Sequence, residues 1–213
     1  DTATADFAAG TFGTGTYAAA AAGGEVSLAP AAGAEFNGSS MPSGWASSNL
    51  VTGGSSTVPG GVLTVNGSRA GTTSTYSRGR SLEFVATFSG ASNQWAGFGV
   101  DFSTTQWAAF GTSTGNALLA RSRSGSSIRD TTITGLTLGV PHRFRIDWTS
   151  TSVVYSVDGV VRATHTSAIS SSSLRPLVSD SATTGGAVVV DWMRMTPYAS
   201  AGTYTSKVFD ATT

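Results

Sequence analysis

Apolar residues recur along this chain in runs of roughly four to eight, rich in β-branched and aromatic side chains and separated by Gly, Ser and Asn clusters. No long segment keeps a helical period. Many short strands at such spacing predict a sandwich or barrel. The first 24 residues, rich in Ala, Gly and Thr, resist placement, although the flanks of AAAAAG at 18–23 favour an extended path.

The middle of the chain reads more sharply. QWAGFGVDF at 94–102 is followed by QWAAF at 106–110, and two similar strands with a short connection predict a hairpin. Alternation puts Ala96, Phe98, Val100 and Phe102 on one side and Trp95, Gly97, Gly99 and Asp101 on the other. With the Phe side as core, Trp95 and Trp107 stand on the outer face. In HRFRIDW, Phe144, Ile146 and Trp148 alternate in the same way with Arg143, Arg145 and Asp147. VVYSV then leads into Asp158-Gly159, a pair that predicts a tight turn because both central residues take positive φ. VVRATH returns from it.

Composition narrows the function classes. The 213 residues suit one all-β domain, and 39% hydrophobic content is enough for a sizeable core. Charged residues make up only 11%, against about 25% in an ordinary soluble domain. The net charge is zero and no basic stripe is visible, which argues against nucleic-acid binding. Without cysteine, disulfides and thiolate chemistry are excluded. No run is long enough for membrane insertion, and the Ser/Thr/Gly-rich composition predicts a secreted or cell-surface protein.

Five motifs, in order, carry a resemblance: AEFNGSSMPSGW at 34–45, GGVLTVNG at 60–67, GRSLEFVATF at 79–88 with QWAGF, HRFRIDW…VYSVDGV, and VVVDWMRMTPY at 188–198. Together they resemble family 16 glycoside hydrolases, the laminarinase and lichenase group of the concanavalin A-like lectin/glucanase superfamily. The resemblance implies a two-sheet antiparallel β-sandwich, a jelly roll, over 34–198. Residues 1–33 are then an N-terminal extension or junction, and 199–213 a C-terminal strand or junction.

The hydrolases place Glu, Asp and Glu on alternate residues of one strand, and the matching strand here, QWAAFGT, has no acid. The chain holds only Glu25, Glu35 and Glu83 as glutamates. Retaining hydrolysis needs two carboxyl groups about 5–5.5 Å apart. Only a rearranged pair among Asp101, Asp147 and Glu83 remains open. The expectation is therefore a non-catalytic module, within a larger protein, that binds a polysaccharide or cell-surface glycan. Alternatives are a structural or filament-forming subunit, and a divergent hydrolase or lyase.

Candidate residues follow from the same pattern. Trp95, Trp107, Asp101, Arg143, Arg145 and Asp147 form an expected outer-face set, either a sugar platform or cross-strand ion pairs. Asp191 sits inside the apolar run VVVDWM, where a buried carboxylate needs a partner. The resemblance implies structural Ca²⁺ there, with a carbonyl near Gly61; a salt bridge to Arg194 is the alternative. His142 and His165 lie at the ends of the hairpin unit, where antiparallel return could bring them together; polar residues at hairpin ends are the favoured reading over a ligand or base role. At the chain ends, AAGTF (8–12) echoes SAGTY (200–204), and KVFDATT reads as the start of a further strand. These ends are expected to add a strand to the sandwich, to neighbouring modules or to another copy of the chain.

Overall fold

A computed structural model describes residues 4–19, 24–103, 106–114, 116–166, 169 and 173–207. A short helix, α1 (Thr4–Ala8), precedes β1 (Thr11–Phe12), β2 (Thr16–Ala19), β3 (Glu25–Leu28) and β4 (Pro30–Ala34). Then come β5 (Trp45–Asn49), β6 (Ser55–Thr57), β7 (Leu63–Asn66), β8 (Ser68–Thr72) and β9 (Arg80–Thr87). The predicted hairpin is β10 (Gln94–Gly99) and β11 (Gln106–Thr112), followed by β12 (Leu118–Ser124) and β13 (Ser127–Thr132). The chain closes with β14 (His142–Trp148), β15 (Val153–Val157), β16 (Val160–His165), β17 (Arg175–Asp180), β18 (Val188–Tyr198) and β19 (Tyr204–Thr205).

The strands make two main antiparallel sheets. Seven pair in the order β13-β12-β11-β10-β17-β8-β5, and the other sheet runs β16-β15-β14-β9-β18-β7-β6 with β4 added beside β18. This is the two-sheet antiparallel sandwich, a jelly roll, that the resemblance implies. The alternation of the sequence explains it. Ala96, Phe98 and Phe110 of one sheet face Phe84, Phe144, Ile146, Trp148 and Tyr155 of the other across a closed core. Phe110 meets Phe144 at 4.8 Å between ring centroids, and Phe98 meets Trp148 at 5.3 Å. Burying each such side chain contributes roughly 1.5–3 kcal/mol. The Trp148 indole N–H donates to the Ile169 carbonyl at 3.1 Å, so its one polar group is satisfied inside the core.

Asp158 and Gly159 take φ of 51° and 79°, the positive pair expected of the turn. Two other expectations fail locally. β10 ends at Gly99, so Val100 is exposed and Phe102, at φ 55°, turns to the opposite face from Phe98. The alternation was broken by a bend that nothing in VDF signals. The histidines do not meet either. His142 opens β14 beside the Asp158 turn, while His165 ends β16 opposite Val153, at the other end of the hairpin.

The ends of the chain pair with each other. Thr11 and Phe12 lie opposite Thr205 and Tyr204, and the Phe12 and Tyr204 rings are 5.0 Å apart. The Tyr204 hydroxyl donates to the Phe7 carbonyl at 3.0 Å. The two similar pentapeptides thus pack against one another. β2 and β3 form a further hairpin, and β4 runs from it onto the sandwich edge at Met193–Tyr198. The expected continuation through Val208 and Phe209 lies outside the described residues.

Candidate functional site

The outer face of the seven-stranded sheet is built from alternate residues of its central strands. Trp107, Ala109 and Gly111 of β11 stand beside Trp95, Gly97 and Gly99 of β10. On the flanks lie Leu119, Arg121 and Arg123 of β12, Arg175, Leu177 and Ser179 of β17, and Arg69 and Gly71 of β8. Trp95 and Trp107 meet edge to face at 5.0 Å, and Phe102 reaches back to Trp107 at 5.4 Å. The glycines make this possible: any side chain at Gly111 would strike the Trp95 ring, and one at Gly99 would strike Phe102. Leu177, Ala109 and Leu119 complete a second, smaller apolar cluster.

The tryptophans are therefore on the predicted side of the sheet but not open. Trp95 is 6% exposed and Trp107 3%. The Arg121 guanidinium lies 4.9 Å over the Trp95 ring and is held there by both oxygens of Asp130, at 2.6 and 2.7 Å. A sugar ring cannot stack on faces already covered by Phe102 and Arg121. What remains accessible is a groove of about 270 Å³ with Trp95 and Phe102 in its floor and Arg69, Asp101, Ser179 and Ser181 on its walls. Asp101 closes its own turn by accepting the Ser103 N–H at 2.9 Å.

The expected six-residue surface is divided between two sheets. Arg143, Arg145 and Asp147 belong to β14, which pairs with β9 and β15, so they face outward from the eight-stranded sheet. Alternation correctly separated them from the core but carries no information about which sheet receives a strand. On that face these three charges are paired. Arg143 donates to Glu83 at 2.6 Å, and Arg145 donates to Asp147 at 2.7 Å. Ser81 also donates to Asp147. These partners raise the pKa of both arginines, hydrogen bonding being the main cause. A cavity of about 630 Å³ lies over Glu83, Arg143, Arg145, Ser156 and Asp158. Asp158 accepts the Arg143 N–H and a hydrogen bond from His142. Burial raises its pKa, but those bonds outweigh burial and hold the carboxyl below its ordinary value.

These positions bear on catalysis. Glu83 and Asp147 share a face, but each is engaged by an arginine, and Asp101 is on the other sheet. At the centre of the seven-stranded sheet the alternate residues are Trp, Ala and Gly. Among the described residues, no free carboxylate pair lies on either outer face.

Asp191 is the extra residue of a β-bulge, since Val190 pairs with Ala86 and Trp192 with Val85. It does not pair with Arg194. That arginine is taken by Glu35, at 2.8 and 3.0 Å, and more loosely by Glu25 at 3.7 Å. Among the described residues Asp191 has no hydrogen bond or ion pair, and burial raises its pKa. It lines a cavity of about 310 Å³ with Val62, the neighbour of Gly61, and with Thr87. An unpartnered, half-buried carboxylate beside backbone suits a hard cation, which takes oxygen ligands. No group of three acidic, His or Cys side chains gathers among the described residues, so carbonyl oxygens would make up the rest.

The sequence reading missed a buried polar cluster between the sheets. The Ser122 hydroxyl contacts His165 Nδ1 at 2.9 Å and the Tyr155 hydroxyl at 2.7 Å, while His165 Nε2 meets Thr131 at 3.0 Å. Tyr155 also donates to the Arg121 carbonyl at 2.7 Å. Ser122, His165 and Tyr155 are all buried, so this Ser–His contact braces the fold and meets no substrate. Burial lowers the His165 pKa.

No family model matches the chain, and no curated relative does. Solved structures do. A family 16 glycosyl hydrolase protein from Mycobacterium smegmatis aligns with a TM-score of 0.59 at 12% identity, over 78% of this chain and 100% of that one. A β-1,3-glucanase from Mycobacterium marinum aligns at 0.57 and 13%, over 79% and 99%. An immunostimulatory antigen and pseudo-β-1,3-glucanase of Mycobacterium tuberculosis aligns at 0.55 and 14%, over 81% and 99%. At such identities the likeness establishes the fold alone.

Proposed function

We propose that this protein is a non-catalytic glycan-binding module, acting outside the cell, whose ligand lies on the outer face of the seven-stranded sheet. One observation carries the reading: Trp107, Ala109 and Gly111 occupy the outward alternate positions of β11, the strand that the resemblance matches to the acid-bearing strand of the family 16 hydrolases. A strand with no acid on that face offers neither nucleophile nor proton donor. The groove walled by Arg69, Ser179 and Ser181 keeps polar donors over an aromatic floor, the composition of a sugar site. A structural Ca²⁺ held by Asp191 and a carbonyl near Gly61 would brace the opposite sheet without touching the ligand. Reducing-end assays on laminarin and lichenan should detect no product. Turnover that Glu83→Gln or Asp101→Asn abolishes would overturn the proposal in favour of a divergent hydrolase.

A second reading, assembly through the terminal segments, draws on the β1–β19 pairing. A two-stranded sheet made from both ends is open to exchange between copies or with neighbouring modules. Light scattering across a concentration series separates the two: a monomer throughout removes self-assembly.

A further inference from the structure

We infer that the groove on the seven-stranded sheet takes an anionic polysaccharide, one bearing uronate carboxylates or sulfate esters, in place of a neutral glucan. The inference rests on the glycan-binding reading and names its ligand class.

The chain has as many acidic as basic residues, but the two outer faces do not share them evenly. On the eight-stranded sheet, Arg143, Arg145 and Arg194 each contact a carboxylate within 4 Å. On the seven-stranded sheet, among the described residues, only Arg121 does so, through Asp130. Arg69 donates to the Ser48 hydroxyl at 2.9 Å. Arg123 donates to the carbonyls of Gly125 and Ser103, and Arg175 to those of Thr72 and Val100. These three guanidiniums therefore hold backbone and hydroxyl oxygens, and among the described residues no carboxylate lies within 4 Å of them.

The carboxylates facing them are few. Asp130 is committed to Arg121, and Asp101 caps its own turn while exerting a pull on Arg175. Four arginines against two aspartates leave the face positive. Burial lowers the Arg175 pKa, the nearby Arg69 charge lowers it further, and the pull of Asp101 does not make up the difference.

The arrangement is also spatially ordered. Arg69, Ser179 and Trp95 stand opposite one another on three consecutive strands, and Asp101, Phe102 and Ser181 close the same groove. A fork of guanidinium N–H groups matches the planar oxygens of a carboxylate or sulfate, which a neutral hydroxyl does not reproduce. Hydroxyls of Ser179 and Ser181 beside it suit ring hydroxyls. Arg175 and Arg123 also tie down the two ends of the 100–103 turn, so positive charge and groove wall are one construction.

Isothermal titration of the folded protein with polygalacturonate, which carries only carboxylates, and dextran sulfate, which carries only sulfate esters, against laminarin and dextran, tests this. The acidic polymers should bind, and raising ionic strength from about 0.05 to 0.3 M should weaken them severalfold. Arg69→Gln should weaken binding about tenfold, as should Ser181→Asp, which adds repulsion at an exposed position and removes no structural bond. Arg143→Gln, on the other sheet, should leave it unchanged. Preference for the uronate or the sulfate polymer distinguishes the two anion sources. Salt-insensitive binding of laminarin that survives Arg69→Gln would overturn the inference and leave glycan binding standing. Equally tight retention of duplex DNA would also overturn it, as a general polyanion effect. Binding to none of the four polymers would sink both the inference and the function it rests on.

Discussion

Replacing Glu35 should destabilise the protein more than any other exchange of a single charge. Its carboxylate is 7% exposed and accepts two hydrogen bonds from Arg194, at 2.8 and 3.0 Å, and one from the Tyr17 hydroxyl at 2.6 Å. Arg194 is itself 8% exposed. Removing one partner of a buried ion pair leaves the other charged without compensation, at a cost of about 3–5 kcal/mol. Two features moderate the loss here. Glu25, 3.7 Å from Arg194, can move closer, and the Trp192 ring lies 4.3 Å from the guanidinium carbon. For Glu35→Gln, which keeps an acceptor, about 2–3 kcal/mol is expected. At roughly 2–4 °C per kcal/mol for a domain of this size, Tm should fall by about 4–12 °C. Urea unfolding gives the free energy, with an unchanged m-value showing that the native fold survives. The double variant Glu35→Gln with Arg194→Met should be less destabilised than the sum of its parts, because no orphan cation remains. A loss below about 0.5 kcal/mol, or strict additivity, would refute the reasoning: the pair would then behave as a solvent-exposed bridge.

Three further outcomes follow from the same structure. Burial lowers the His165 pKa, so below about pH 6.5 the unfolded chain takes up the proton more readily than the native one. Stability should be full above that pH and decline beneath it, and urea midpoints for His165→Gln should show a shallower decline between pH 7.5 and 5.5; parallel curves would exclude His165 as the cause. If Asp191 holds Ca²⁺, chelation should lower Tm and added Ca²⁺ restore it in the native protein but not in Asp191→Asn; identical melting with and without chelator argues for no metal. Deleting 199–213 removes Tyr204 and the Thr203 carbonyl that accepts from Gly13 and Thr16, so amide exchange should accelerate at residues 11–17 and stay unchanged in β9 and β14. Unaltered protection at 11–17 would show that the N-terminal segment holds itself.

Periodicity made much of the fold legible. A period of two in LEFVAT and HRFRIDW decides which side chains enter the core, and in QWAGFG it picks the residues that face the other sheet, although both faces of that strand are buried. Asp158-Gly159 is equally local: both residues need positive φ, and the sequence supplies residues that tolerate it. The missing acids of β11 are a matter of composition and needed no coordinates.

Other features depend on which strands become neighbours, and no local pattern encodes that. Trp95 and Trp107 sit on the predicted face, yet Arg121 from β12 and Phe102 from a bend cover them. Arg143 and Arg145 alternate as an exposed row should, but β14 joins the other sheet. Asp191 lies near Arg194 in sequence, while Glu35, distant in the chain, reaches that arginine first because β4 adds to β18. Arg69, Ser179 and Trp95 converge only after strands from three distant parts of the chain pair side by side. Alternation is a property of one strand and can be read along it. Sheet order, the covering of a face and the balance of charge on it are long-range contacts, and in this protein they decide where a ligand can bind.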